Sequence, residues 1–119
     1  MASNTYEAIA TVTVGSGGAA SIDFTSIVGT YTDLCLKISA RTNRSASNDY
    51  LKIGFNGGTT GITYISLEGN STSAYSFNTS AAGQFIGEVN GDTSTASTFS
   101  SFELYFPNYS GSTNKSYSS

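Results

Sequence analysis

Nine residues, Asp33-Leu-Cys-Leu-Lys-Ile-Ser-Ala-Arg41, narrow the possible folds more than any other stretch. Leu34, Leu36, Ile38 and Ala40 fall on one face; Cys35, Lys37, Ser39 and Arg41 fall on the other. A period of two with apolar residues on one side specifies a strand with one buried and one wetted face. Nothing in the chain competes with it by offering a helical stripe. Leu is scarce, Ala is scattered, and no helix-length window repeats apolar residues every 3.6 positions. The expected class is all-β.

Composition supports that class and excludes several functions. Ser and Thr form about a third of the 119 residues, Gly contributes 13, and Phe plus Tyr contribute 15. The chain is of ordinary single-domain length and can bury a core. Five cations against eight carboxylates give a formal charge of −3, and only Arg41 and Arg44 lie close together. A protein that neutralises several phosphates needs clustered cations, so no nucleic-acid partner is expected. No apolar run approaches the roughly 20 residues of a bilayer span, so no membrane partner is expected either. The start carries no charged-then-apolar secretion signal. Cys35 is alone and cannot form an internal disulfide, which fits folding in a reducing cytoplasm. Asn-x-Ser/Thr triplets at Asn43, Asn70, Asn78, Asn108 and Asn114 are compositional in so Ser/Thr-rich a chain.

Taken in order, Tyr6–Val14 and Ala20–Phe24 alternate and flank Gly15-Ser16-Gly17-Gly18, which predicts an opening hairpin. Tyr50–Phe55 should turn Leu51, Ile53 and Phe55 inward, with Asn56-Gly57-Gly58 as a hairpin-type turn. Ile62–Leu67 is strand-like, but Ile62/Tyr64 and Ile65/Leu67 compete for the inner face. Tyr75 and Phe77 mark a short edge strand, and Gln84–Val89 has strand composition. Thr98–Phe106 faces Phe102, Leu104 and Phe106 inward until Pro107, which offers no ladder donor, stops it. A last strand begins near Lys115 and breaks off at Ser119; an edge left this way is unpaired, so the chain is expected to continue or be completed by a neighbour. Short strands separated by regular turn signals predict one antiparallel β-sandwich domain over residues 1–119, jelly-roll-like and incomplete at its carboxyl end. A dozen large inward side chains, each worth about 1.5–3 kcal/mol when fully buried, can hold it without metal or disulfide.

The residues leave little room for catalysis. With no histidine, the commonest general base and transition-metal ligand is missing. Cys35 has Lys37 two positions on but no base to pair with. A glycosidase needs two carboxylates facing across about 5–9.5 Å, and no predicted strand carries two acids on one face. Asn48-Asp49 and Asn90-Gly91-Asp92 offer hard oxygen donors, yet such pairs are far more often plain turns. No enzyme, no metal and no cofactor is expected. The remaining candidates are Tyr64, Tyr75, Tyr105, Tyr109 and Tyr117, placed on wet faces or in loops. Amphipathic rings there suit an interface or stack on sugar rings; the plainer reading is that most of them cover the sandwich ends.

Two windows, Leu51–Asn70 and Phe102–Lys115, together with Tyr6-Glu-Ala-Ile-Ala and Ile22-Asp-Phe-Thr-Ser-Ile before Tyr31-Thr-Asp-Leu, carry a family likeness. Over nearly its whole length the chain resembles virion structural proteins of tailed bacteriophages, many from marine and cyanobacterial hosts. Val28 departs from the pattern, where a proline is common. The resemblance implies a non-enzymatic β-sandwich building block of the particle surface, as a capsid decoration, head fibre or tail appendage. It implies a protein made in the host cytoplasm and found in the virion, with copies of itself and other virion proteins as partners. The alternative is a lectin-like, glycan-binding module of a tail fibre. A host-derived filament subunit that donates a strand to its neighbour is a third class, weakened by the missing secretion signal.

Overall fold

Three antiparallel ladders, nested one inside the next, make up the regular structure. The computed structural model describes residues 5–58, 63–69, 72–79, 84–113 and 115–118. Its strands are β1 (Leu34–Ala40), β2 (Asn48–Ile53), β3 (Tyr64–Gly69), β4 (Ala74–Thr79), β5 (Gln84–Asn90) and β6 (Ser100–Phe106). β1 pairs with β6, β2 with β5 and β3 with β4. No helix occurs among the described residues, so the all-β, antiparallel expectation is met.

The outer ladder runs without a slip from Leu34 opposite Phe106 to Ala40 opposite Ser100. Because the register is unbroken, Leu34, Leu36 and Ile38 share a face with Phe102, Leu104 and Phe106. Leu104 is closed to solvent and Phe106 nearly so, and with Ile86 they form the core cluster. Pro107 ends the strand as expected. In the middle ladder the register shifts between Leu51 and Lys52, which face Gly87 and Phe85. Ile86 is the extra residue, and this bulge is what turns it into the core. Gly87 is required beneath it: a Cβ there would overlap the Phe102 ring.

Asn56 and Gly57 take positive φ angles of 51° and 75°, and Phe55 and Gly58 exchange both backbone hydrogen bonds. That is the primed turn that an Asn-Gly pair adopts at low strain. After β6 the chain turns at Asn108–Gly111, and Ser118 returns to exchange backbone bonds with Tyr105. The expected last strand is thus one bridge along β6 among the described residues.

Two expectations are corrected. Tyr6–Val14 and Ala20–Phe24 form no strands: the Gly15–Gly18 turn closes, but every residue from 5 to 30 is exposed. Alternation there is real, yet its inner positions are mainly Ala and Val, which give a hairpin little apolar area with which to offset its ordering entropy. The dozen buried side chains are also too many. Leu104, Val89, Phe106 and Ile86 are buried, while eight partners around the cluster are only half covered. For β3 the structure resolves the competition of faces: Tyr64, Ser66 and Glu68 are half-buried, and Ile65 and Leu67 point to solvent. Ile62 lies outside the described residues.

Candidate functional site

The outward face of the β2–β5 ladder begins with Asn48, whose amide donates to Glu88 at 2.7 Å. Tyr50 stands opposite Glu88, and its ring meets Phe85 edge-on at a centroid distance of 5.2 Å. Phe85 also meets the Tyr64 ring at the start of β3 at 5.9 Å, so that end of the β3–β4 ladder lies beside this face. Glu68 extends the polar rim, accepting from Ser66 Oγ at 2.7 Å and from the Tyr75 hydroxyl at 3.1 Å. The result is an aromatic row, Tyr50–Phe85–Tyr64, edged by Glu68, Glu88 and Tyr75. The Glu68 carboxylate pushes the Tyr75 phenol above its ordinary value by stabilising the protonated, donating form, with the Glu68 charge acting in the same direction.

The five predicted tyrosines separate into three settings. Tyr64 and Tyr75 belong to this row. Tyr105, on the outer face of β6, donates to Asp33 at 2.6 Å, and the Asn108 amide donates to the same carboxylate at 2.7 Å. These two donors, Tyr105 first, hold the Asp33 carboxyl below its ordinary value, while Asp33 raises the Tyr105 phenol. The pair ties the start of β1 to the end of β6. Tyr109 packs against the core cluster, with its hydroxyl donating to the Val28 carbonyl. Tyr117 stacks at a tilt on Phe106 at 5.6 Å and lies 6.3 Å from Phe55; partial burial raises its phenol, and Tyr64 is near enough to add to the shift. The structure therefore brings Tyr64 close to Tyr117 as well as Tyr75 to Glu68, and places Tyr105 and Tyr109 in other bonds.

Asn48 and Asp49 lie not in a loop but at the start of β2, opposite Asn90 and Val89, and the 91–93 turn packs on the 44–47 loop that precedes them. Gly91 N–H donates to Ser47, Asp92 N–H to Arg44 and Thr93 N–H to Ala46, so their backbone groups are spent on one another. Gly91 is held close, because an added Cβ would overlap the Ala46 carbonyl. Arg41 closes the arrangement. Its Nη1 donates to the carbonyls of Thr95 at 2.7 Å and Thr98 at 3.2 Å, and its Nη2 to Asp92 at 2.9 Å and Ser94 at 3.0 Å. A planar five-donor fork is suited to gather carbonyls in this way. Asp49 accepts from the Tyr50 amide at 2.9 Å, which lowers its carboxyl first, with Thr42 and Arg44 contributing. No cluster of three metal-ligating side chains occurs among the described residues. Cys35 is half-buried opposite Tyr105, and Lys37 is engaged by Glu103 at 2.9 Å across the ladder.

Sequence reasoning placed Tyr50 on the outer face but missed its membership of the row, along with Phe85, Glu68 and Glu88. The alternation Asn48–Tyr50–Lys52 was the available signal. Phe85 was hidden by the bulge at Ile86, which shifts which β5 residues share that face. Comparison with known proteins gave no matching family model, curated protein or solved structure.

Proposed function

We propose that this chain is a non-enzymatic structural building block of a bacteriophage virion, a jelly-roll-like β-sandwich repeated in copies on the particle surface. The observation that carries the reading is the nested pairing of β1 with β6, β2 with β5 and β3 with β4. A nested ladder order of this kind supports a jelly-roll-like reading, since double-sheet jelly rolls occur in capsid domains. The family likeness read from Leu51–Asn70 and Phe102–Lys115 agrees with it. So does a weakly charged surface rich in Thr, Ser and Tyr, which suits broad contacts between subunits. The chain would sit in the virion among other virion proteins after synthesis in the host cytoplasm. Mass spectrometry of purified particles of the encoding phage should find the polypeptide at high, fixed stoichiometry. Its absence from intact particles would end the reading.

A second reading is supported by the aromatic row itself. Tyr50, Phe85 and Tyr64 present ring area beside the acceptors of Glu68 and Glu88, an arrangement able to stack on a sugar ring and take its hydroxyl hydrogen bonds. In that reading the module binds host-surface glycan from a tail fibre. A glycan array, run with and without calcium, should show ligands that Tyr50→Ala abolishes. A blank array in both conditions removes it.

A further inference from the structure

Two carboxylates share a face with the rings of Tyr50, Phe85, Tyr64 and Tyr75. Glu88 stands opposite Tyr50 in the β2–β5 ladder, and Glu68 stands opposite Tyr75 in the β3–β4 ladder, accepting from its hydroxyl at 3.1 Å. The two pairs are within electrostatic reach of each other. Beyond the rise that Glu68 produces in the Tyr75 phenol, burial, the Glu88 charge and Tyr50 push it the same way. The rings do not lie in one plane: Tyr50 and Tyr64 are turned by 72° and 43° from Phe85. Tyr50 and Tyr75 are about half exposed, at 53% and 48%, so ring surface is open to a ligand.

The charge on this face is not neutralised within the chain. Among the described residues the ion pairs are Lys37–Glu103 and Arg44–Asp49, and neither involves Glu68 or Glu88. The donors to these two acids are neutral: Ser66 and Tyr75 to Glu68, Asn48 to Glu88. Neutral donors hold a carboxylate in place and leave its charge for something else. Lys52, opposite Phe85 on β2, is exposed and makes no ion pair among the described residues. A cation is drawn to the face of an aromatic ring, and two nearby carboxylates draw it in the same direction.

We propose that this face selects sugars bearing a free ammonium group, with the rings taking the apolar face of the sugar and Glu68 and Glu88 its charge. The inference rests on the glycan reading given above and names the class of sugar. A neutral sugar can stack on the rings but leaves both carboxylates uncompensated, and an acidic one is repelled by them. A bare metal ion gains nothing from the rings, and no group of three metal-ligating side chains occurs among the described residues. A second copy of the chain would bring a formal charge of −3 to an acidic face. An amino sugar meets both halves of the surface at once.

Nuclear magnetic resonance titration of the full chain tests it, with a short glucosamine oligomer and its N-acetylated counterpart of equal length as probes. The buffer is acid enough to protonate the amines, so the two probes share a sugar backbone and differ in charge. The protonated oligomer should bind about tenfold more tightly, with the largest shifts at Tyr50, Phe85 and Tyr75. Added salt should shrink that margin. Glu88→Gln, which keeps an oxygen for Asn48, should remove most of it, and Tyr50→Ala should weaken both probes. Glu103→Gln takes the same charge from the β1–β6 ladder and should leave the margin intact. Unshifted Val89 and Leu104 signals show that each variant is folded, and the comparison of probes on the unaltered chain needs no variant. Equal affinity for the two probes overturns the proposal. So do shifts away from the row, or a margin that Glu103→Gln reduces as much as Glu88→Gln. Binding of the N-acetylated probe at the row with no gain from charge leaves the glycan reading standing without this inference. Silence from both probes and from the glycan array ends both.

Discussion

The β1–β6 ladder and the 5–30 arm begin from the same pattern and end in opposite states. Asp33–Arg41 and Tyr6–Val14 both alternate at every second residue. In β1 the inner positions are Leu34, Leu36 and Ile38, packed against the Ile86–Leu104–Phe106 cluster and paired with Phe106, Leu104 and Phe102 of a strand more than sixty residues away. In the arm most of them are Ala and Val, and they face water. Alternation thus decides which way side chains point, whereas a partner of sufficient apolar area decides whether a strand forms at all.

The sharpest way to break this contrast is truncation on each side of it. Leu104→Ala should cost about 2–5 kcal/mol in urea unfolding, because it opens a cavity in a closed core. Ile22→Ala, measured at high dilution where any assembly has dissociated, should change stability by less than about 0.5 kcal/mol. Equal costs would mean the arm is folded into the body after all.

Arg41→Ala comes next, at about 2 kcal/mol, since it removes the fork that gathers four loop carbonyls. Arg41→Lys should recover little of that loss, because one ammonium cannot span the same acceptors. Unfolding curves for the two variants check both statements.

A smaller effect is expected with pH. Asp33 titrates lower in the folded chain than in the unfolded one, so its contribution is present above the ordinary carboxylate value, near pH 4. It is lost as pH falls through the lowered folded value. Tyr105 titrates higher when folded, so its share is present below about pH 10 and lost as pH rises through the raised value. The same Tyr105–Asp33 bond is therefore weakened from both ends of the scale. Asp33→Asn should flatten the acid limb of a plot of Tm against pH, leaving the part due to Asp49. The smallest effect belongs to Lys37–Glu103, an exposed cross-strand pair that adds little stability and is screened by salt. A double-mutant cycle at low and high salt should show it fade.

These contrasts also mark what was legible in the sequence. β1, β6, the stop at Pro107 and the Asn56-Gly57 turn were readable because their causes are local: alternation, a missing donor and positive φ. The bulge at Ile86 was not, because it exists only relative to the register of β2. Nor was the Arg41 fork, whose acceptors lie more than fifty residues along the chain. The aromatic row was half legible. Tyr64, Tyr75 and the outward Tyr50 could be picked out as rings on strands, but bringing Tyr64 against Phe85 is a tertiary event with no signature in the residues themselves.

Nesting has a consequence for how the molecule comes together in time. The innermost paired residues are about five positions apart in β3–β4, about thirty in β2–β5 and about sixty in β1–β6. Closing the middle ladder first shortens the loop that the outermost must close, which lowers its entropic barrier. Leu104 and Phe106 belong to that outermost ladder, so if the ladders close from the inside outward the hydrophobic centre is sealed last. Until then a newly made chain carries its stickiest surfaces uncovered, and crowding by other newly made copies finds it at its most vulnerable.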